Sequence, residues 1–131
     1  MIFLTKDDYI AINKLVLSKS DSSSFGIQYP QGLDLVVEQP KQILFGKELY
    51  PTSWLKAAFI IQKITKKHIF IDGNKRTALL SGLTFLKANG IKLSFTEDEG
   101  EDLILSVTNS PDTEKIMVTL AEWLKNHNSN D

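Results

Sequence analysis

The chain has 131 residues, of which 42% are hydrophobic and 24% are charged. This length and composition are typical of one soluble globular domain, so we expect residues 1–131 to form a single domain. Fifteen basic and sixteen acidic residues nearly cancel, so no global field attracts nucleic acid or an anionic membrane. The absence of cysteine excludes disulfides and thiol catalysis. The apolar residues 1–4 are too few for a signal peptide or a membrane span. We therefore expect a cytoplasmic protein that binds neither membranes nor nucleic acid directly.

The N-terminal third predicts two helices joined by a loop. Thr5 and Asp8 form a capping pattern, and apolar residues then recur at helical spacing until about Leu17. A serine-rich stretch over residues 18–24 and an irregular stretch over residues 26–32 follow as loops. Residues 33–39 have room for two helical turns, which Pro40 ends.

Residues 41–50 carry short apolar segments on either side of Gly46. This pattern predicts a small β-hairpin, which we call the flap, and Pro51 closes it. Four helices are predicted in the rest of the chain, and they cover residues 54–67, 74–89, 97–109 and about 114–125. Residues 126–131 are predicted to be a disordered polar tail, in which His127 has no partner and no role. The predicted fold class is all-α, a compact helical bundle with one small β-hairpin.

The loop between the first and second of these four helices, with the first turn of the second, holds most of the reactive side chains. It reads His68-Ile69-Phe70-Ile71-Asp72-Gly73-Asn74-Lys75-Arg76. The first N–H groups of a helix have no internal partner, and the helix dipole makes that end partly positive, so this helix start can bind a phosphate. We interpret Phe70 and Ile71 as core anchors of the loop.

Individual residues of the loop suggest complementary chemistry. Gly73 allows close approach of a ligand to the backbone, and Arg76 offers a fork of donors for phosphate oxygens. Asp72 suits a phosphate that carries magnesium, although an ordinary helix cap is the alternative interpretation of this aspartate. A histidine titrates near neutral pH, so His68 can accept a proton from an attacking hydroxyl.

The string resembles the signature of the Fic/Doc family, His-x-Phe-x-Asp/Glu-Gly-Asn-Gly/Lys-Arg, and matches it at every specified position. The resemblance implies a Fic-type helical bundle that binds ATP or another nucleoside triphosphate with Mg²⁺ and transfers part of it to a protein hydroxyl. It assigns catalysis to His68 and Arg76, phosphate binding to Gly73, Asn74, Lys75 and Arg76, metal binding to Asp72, and contact with the protein substrate to Ile43, Leu44 and Phe45 of the flap.

The short chain, Lys75 and the Gly-Leu-Asp sequence at Gly32 most resemble the death-on-curing (Doc) branch, which comprises toxins of toxin–antitoxin pairs. That branch implies transfer of the γ-phosphate of ATP to a serine or threonine of a protein, with elongation factor Tu as the first candidate. The alternative is transfer of AMP, as in most Fic proteins, and a third reading is a helical binding module without enzymatic activity. Lys75 favours the kinase, whereas Gly73 is common in AMP-transferring members.

The family's inhibitory motif, Ser/Thr-x-x-x-Glu-Gly/Asn, has no full match in the chain. Residues 110–114 come closest, but Lys115 follows them. We therefore expect a separate antitoxin, similar to Phd, to restrain the protein.

Overall fold

The computed structural model describes residues 1–20 and 24–129, and these residues confirm the predicted all-α class. The helices are α1 Lys6–Leu17, α2 Pro30–Glu38, α3 Ser53–Lys67, α4 Asn74–Ala88, α5 Glu97–Thr108 and α6 Glu114–Asn126. Two short strands, β1 Ile43–Leu44 and β2 Lys47–Glu48, form an antiparallel hairpin. No helix in the described ranges is long and apolar enough to cross a membrane. Residues 21–23 of the predicted serine-rich loop lie outside the described part of the chain.

Helix α3 is the centre of the bundle. It contacts α2, α4, α5 and α6, and six of its apolar side chains are at most 1% exposed. These side chains are Ala57, Ala58, Phe59, Ile60, Ile61 and Ile64. A helix that is apolar on most sides is stable only when other elements cover it, so α3 organises the core. The loop that follows α3 therefore begins at a helix end whose position is set by the core packing.

Threonine side chains cap four of the helices. Thr5, Thr52, Thr96 and Thr113 each accept a hydrogen bond from a backbone N–H in the first helical turn. Each such cap typically stabilises a helix by about 1 kcal/mol. The capping pattern predicted at Thr5 is confirmed, because Asp8 bonds back to the cap, and Thr96 forms the same capping box with Glu99.

Helix α2 differs from its predicted bounds. It begins at Pro30 instead of Leu33, since proline at the first helical position lacks an N–H group that would have no partner there. It ends at Glu38, and a 3₁₀ turn follows in which Pro40 is buried. Pro30 is thus the first residue of this helix, and Pro40 lies in the turn directly after its end.

The predicted flap is confirmed as a hairpin. Ile43 pairs with Glu48 and Leu44 pairs with Lys47. The turn residues Phe45 and Gly46 have φ angles of 52° and 77°, the positive values that a two-residue hairpin turn requires.

The C-terminal residues correct the prediction of a disordered tail. Asn126 is the last residue of α6, and the His127 ring stacks on Trp123 with centroids 3.8 Å apart. The His127 Nε2 atom lies 3.3 Å from Glu99 Oε2. Hydrogen bonds from Thr96 hold the pKa of the Glu99 carboxyl below its usual value, and His127 adds to this effect. His127 therefore has partners that the sequence analysis missed, and residues 130–131 lie outside the described part.

The crossing of α3 and α4 is close because Gly82 lacks a side chain. A Cβ atom on Gly82 would lie 2.5 Å from Ile61 Cδ1. Gly82→Ala should destabilise the fold by about 1–3 kcal/mol through overpacking, despite the helix propensity of alanine. Denaturant unfolding measures this change.

The matched control is the double variant Gly82→Ala with Ile61→Ala. If Ile61 is the side chain that clashes, the double variant should lose less stability than the two single losses combined. If the two losses of stability are strictly additive, or if Gly82→Ala is as stable as the parent, the helix crossing can accommodate a methyl group without a clash with Ile61.

Candidate active site

His68 ends helix α3 in a left-handed conformation, with φ 49° and ψ 56°. This conformation is uncommon for a residue other than glycine and often marks a functional site. The His68 carbonyl accepts a hydrogen bond from Gln28 Nε2 at 3.3 Å. The residue is exposed, and its ring has no hydrogen-bond partner within the described ranges. The ring is therefore free to meet a ligand.

Asn74 closes the loop between α3 and α4. Its Oδ1 accepts from the Phe70 N–H at 2.9 Å, and its Nδ2 donates to the Phe70 carbonyl at 2.7 Å. The Phe70 ring is fully buried, which confirms its predicted role as a core anchor. Ile71 is 60% exposed, so the same prediction for Ile71 is wrong. The Asn74 side chain thus fixes the loop, while its backbone N–H remains at the helix start.

Residues 26–29 support the loop from outside. The backbone N–H groups of Gln28 and Tyr29 donate to the Ile69 carbonyl at 2.8 and 3.0 Å, and the Ile71 N–H donates to the Gly26 carbonyl at 2.9 Å. These bonds make a short β-bridge where the sequence predicted irregular chain. The partner of this segment is about forty positions away, so no local pattern indicates it.

Asn13 of α1 is a further support that the sequence analysis missed. It is fully buried, and its Nδ2 donates to the Asp72 carbonyl and to Thr77 Oγ1, each at 3.0 Å. One feature of the sequence could have indicated this role: Asn13 is a polar residue within the apolar stripe of α1, next to Ile12 and one turn before Val16. The two hydrogen bonds of Nδ2 offset part of the cost of burying this amide, while Oδ1 has no hydrogen-bond partner among the described residues.

The start of α4 presents unpaired donors beside a carboxylate. Gly73 is the N-cap in a left-handed conformation, and its N–H donates to Asp72 Oδ1 at 2.9 Å. No acceptor among the described residues takes the N–H groups of Asn74, Lys75 and Arg76. These amides add to the positive end of the α4 dipole, which favours an anion.

One cleft of about 420 Å³, the motif cleft, collects the predicted residues of the loop. Its lining comprises Thr65, Lys66, His68, Ile71, Asp72, Gly73, Asn74, Lys75, Arg76 and Thr108. Lys66 closes one side, since its Nζ donates to the Thr108 carbonyl of α5 at 2.9 Å. The flap residues Ile43, Leu44 and Phe45 do not line this cleft.

A larger cavity of about 780 Å³ lies between α1, α4 and α5, and we call it the apolar groove. Lys75 and Arg76 line both the groove and the motif cleft. Most of the other lining residues are leucine, valine, isoleucine and phenylalanine. A ligand in the groove would therefore contact the edge of the motif cleft.

The residues of the cleft suit a phosphate-bound metal better than a metal held by protein alone. The described ranges contain no group of three or more His, Cys, Asp or Glu side chains able to hold an ion. The Asp72 carboxylate is exposed and uses one oxygen for the Gly73 N–H. Magnesium is commonly held by one or two carboxylates together with phosphate oxygens and water, which fits this arrangement.

Comparison with known proteins identifies the family of the chain. Residues 3–86 match the Fic/DOC family, so the chain belongs to this family. The chain is also similar to Toxin Doc from Mycolicibacterium smegmatis (strain ATCC 700084 / mc(2)155). The two proteins are 40% identical over 92 residues, which are 68% of this chain and 71% of the relative.

The geometry at Gly73 gives a testable consequence. A Cβ there would lie 3.1 Å from Leu17 Cδ2 and 3.3 Å from Val16 Cγ1, in a backbone with φ 74°. Gly73→Ala should therefore cost the left-handed penalty of about 1–2 kcal/mol and an added crowding cost. Thermal unfolding measures the total.

Gly90→Ala is the matched control, because Gly90 has φ 81° and nothing within 4 Å of its virtual Cβ. Gly90→Ala should lose only the stability that an alanine costs in a left-handed backbone conformation. Equal losses for the two variants would contradict the tight packing of α1 against the loop.

Proposed function

We propose that the protein is a Doc-like toxin of a toxin–antitoxin pair that transfers the γ-phosphoryl group of ATP to a serine or threonine of a protein. The observation that carries the proposal is the motif cleft. It joins the free ring of His68 at the end of α3 to the unpaired amides, Asp72 and Arg76 at the start of α4. This set supplies a proton acceptor, an anion site and a metal ligand at one place.

Each residue has a distinct role in the proposed reaction. His68 accepts the proton of the acceptor hydroxyl as its oxygen bonds to the γ-phosphorus. The bond from that phosphorus to the β–γ bridging oxygen breaks, and ADP leaves. Arg76 and the amides of Asn74 and Lys75 stabilise the phosphate charge. Asp72 would hold Mg²⁺, which neutralises charge on the phosphates when it is bound.

The choice between phosphoryl transfer and AMP transfer rests on Lys75. In the family, lysine at this position accompanies the nucleotide orientation that places the γ-phosphate nearest the histidine, and the Lys75 side chain lines the motif cleft. Gly73 had favoured AMP transfer. However, a side chain at Gly73 would point at Val16 and Leu17 of α1, so packing alone explains this glycine. Transfer of AMP remains the alternative, and a non-enzymatic binding module is the third reading.

The apolar groove supports the proposed antitoxin partner. Leu15 and Leu105 line it and are 52% and 50% exposed, so they extend its apolar lining to the surface as a patch that a partner can cover. We propose that an amphipathic helix of a Phd-like antitoxin covers this groove and reaches the edge of the motif cleft at Arg76. Ser110 and Glu114, the ends of the nearest match to an inhibitory motif, flank the turn between α5 and α6.

The transfer reaction is tested with ATP labelled separately on the α- and γ-phosphates. Elongation factor Tu is the first acceptor to test, and γ-label should appear on it. His68→Ala should lower the rate about 100- to 10,000-fold, because general-base help is lost while phosphate binding remains. Quantitative gel autoradiography measures both outcomes.

His127→Ala is the matched control, since it removes the other histidine, which does not line the motif cleft. It should transfer at the rate of the parent. Retention of α-label would identify AMP transfer, and a His68→Ala protein as active as the parent would exclude the proposed catalytic role.

The antitoxin groove is tested with Leu105→Glu. A glutamate there should weaken binding of the antitoxin encoded beside the toxin gene about 100-fold or more, because an unpaired buried charge costs several kcal/mol. Calorimetry measures the affinity. In cells, the variant should stop growth even when the antitoxin is present.

Val118→Glu is the matched control, because Val118 is 46% exposed on α6 and does not line the groove. This variant should bind the antitoxin normally. Normal binding by Leu105→Glu, with growth still protected, would place the antitoxin elsewhere.

A further inference from the structure

One buried amide holds the turn that carries Asp72 from the inside of the bundle. Asn13 of α1 is fully buried, and its Nδ2 donates to the Asp72 carbonyl and to Thr77 Oγ1, each at 3.0 Å. A Cβ atom on Gly73 would lie 3.4 Å from the same Nδ2 atom, so the amide lies directly against this turn. The Asn13 side chain therefore joins α1 to the Asp72–Gly73 peptide and to α4.

The bond to the Asp72 carbonyl sets the direction of the Asp72 carboxylate. The peptide bond between Asp72 and Gly73 is trans and planar, so its C=O and N–H groups point in opposite directions. Because Asn13 holds the C=O toward α1, the N–H of Gly73 points away from α1 and donates to Asp72 Oδ1 at 2.9 Å. Asp72 Oδ2 accepts no hydrogen bond from the described residues. One carboxylate oxygen thus stays available at the motif cleft, which Asp72 lines.

Packing alone does not explain an asparagine at position 13. The surrounding residues of α1 are apolar and at most 9% exposed, and they include Ile12, Val16 and Leu17. Asn13 Oδ1 is buried without a hydrogen-bond partner among the described residues, which costs free energy. A leucine side chain has a similar branched shape and no polar group that loses water on burial, so packing would favour leucine. The amide is therefore explained by the groups that it bonds.

We propose that Asn13 is a positioning residue for the metal site, which acts through the Asp72 carbonyl to present the available carboxylate oxygen of Asp72 to the magnesium ion of Mg–ATP. This inference rests on the proposed function. Asn13 does not line the motif cleft, so it acts through Asp72 and touches neither the nucleotide nor the acceptor hydroxyl. Loss of a residue that orients a metal ligand typically lowers metal affinity about 10- to 100-fold.

Two variants remove the tether, and a third keeps it. Asn13→Leu replaces the amide with a side chain of similar shape that cannot donate to Asp72. Asn13→Ala removes the same donor and decides the case if Asn13→Leu does not fold. Thr77→Val is the matched control, because it removes the other acceptor of Asn13 and leaves the bond to the Asp72 carbonyl. Thr77 is fully buried and does not line the motif cleft.

Relaxation of ¹⁵N nuclei in the nucleotide-free protein tests the tether without activity. The Gly73 amide should be as ordered as the helices in the parent and in Thr77→Val, with an order parameter of about 0.85. In Asn13→Leu the order parameter of this amide should fall to about 0.6. The Phe70 amide should stay ordered, because it still donates to Asn74 Oδ1. A general loss of folding would not produce this local pattern, and an unchanged Gly73 amide would overturn the tether.

Binding of ATP with and without magnesium tests the positioning role. Calorimetry gives one Kd for ATP in EDTA and one for ATP in excess Mg²⁺, and their ratio measures the preference for Mg–ATP. Asn13→Leu should lower this ratio about tenfold, because the carboxylate is no longer held in place. The Kd in EDTA should stay within about twofold of the parent, since the backbone amides and Arg76 still bind the phosphates. Thr77→Val should keep the ratio of the parent, and Asp72→Ala sets its lower limit.

The outcomes separate this inference from the proposed function. If the parent prefers Mg–ATP and Asn13→Leu keeps the same ratio, the positioning role is overturned and the proposed function stands. An equal decrease of the ratio in Thr77→Val would assign the effect to lost packing and would also overturn the role of Asn13. A parent that binds ATP in neither form would refute the proposed function, and the metal role of Asn13 with it, even if the relaxation data support the tether.

Discussion

The two hydrogen bonds between Asn74 and the Phe70 backbone hold the candidate site together. They close the loop so that His68, directly after α3, and the first turn of α4 line the same cleft. Both bonds hold His68 and the start of α4 at one cleft, where we propose a proton acceptor and an anion site. A polar residue of a loop that is predicted to bind phosphate can thus act mainly by bonding the backbone of that loop.

The loop is precise because the bundle holds it from three directions. Phe70 is buried in the core below, residues 26–29 bridge it on one side, and Asn13 of α1 bonds the Asp72 carbonyl on the other. Side chains that act on a substrate need such support, since small displacements of reacting groups lower rates strongly. The apolar groove beside α1 stays open in this arrangement. A partner bound in the groove can therefore contact Lys75 and Arg76, which also line the motif cleft, without occupying the cleft itself.

Local patterns in the sequence predicted most of the helices and nearly the whole loop. Helical spacing, threonine caps and the string from His68 to Arg76 are each contained within a few turns of chain. The contacts that were missed join distant positions. Asn13 meets residues about sixty positions later, and residues 26–29 bridge the loop about forty positions away. The partner of a buried polar side chain depends on the packing of whole helices, which local periodicity does not specify. His127 was misjudged because a polar sequence around it suggested disorder, although its stacking partner Trp123 lies one turn before it.

The central claim is that the start of α4 binds the phosphates of a nucleotide beside His68. Titration of the ¹⁵N-labelled protein with Mg-ATP, followed by ¹H–¹⁵N correlation spectra, tests it most directly. We predict saturable shifts of the backbone amides of residues 73–76 and of His68, with little change at the N–H groups of α6. Spectra without shifts at residues 73–76, or with shifts confined to another surface, would contradict the account.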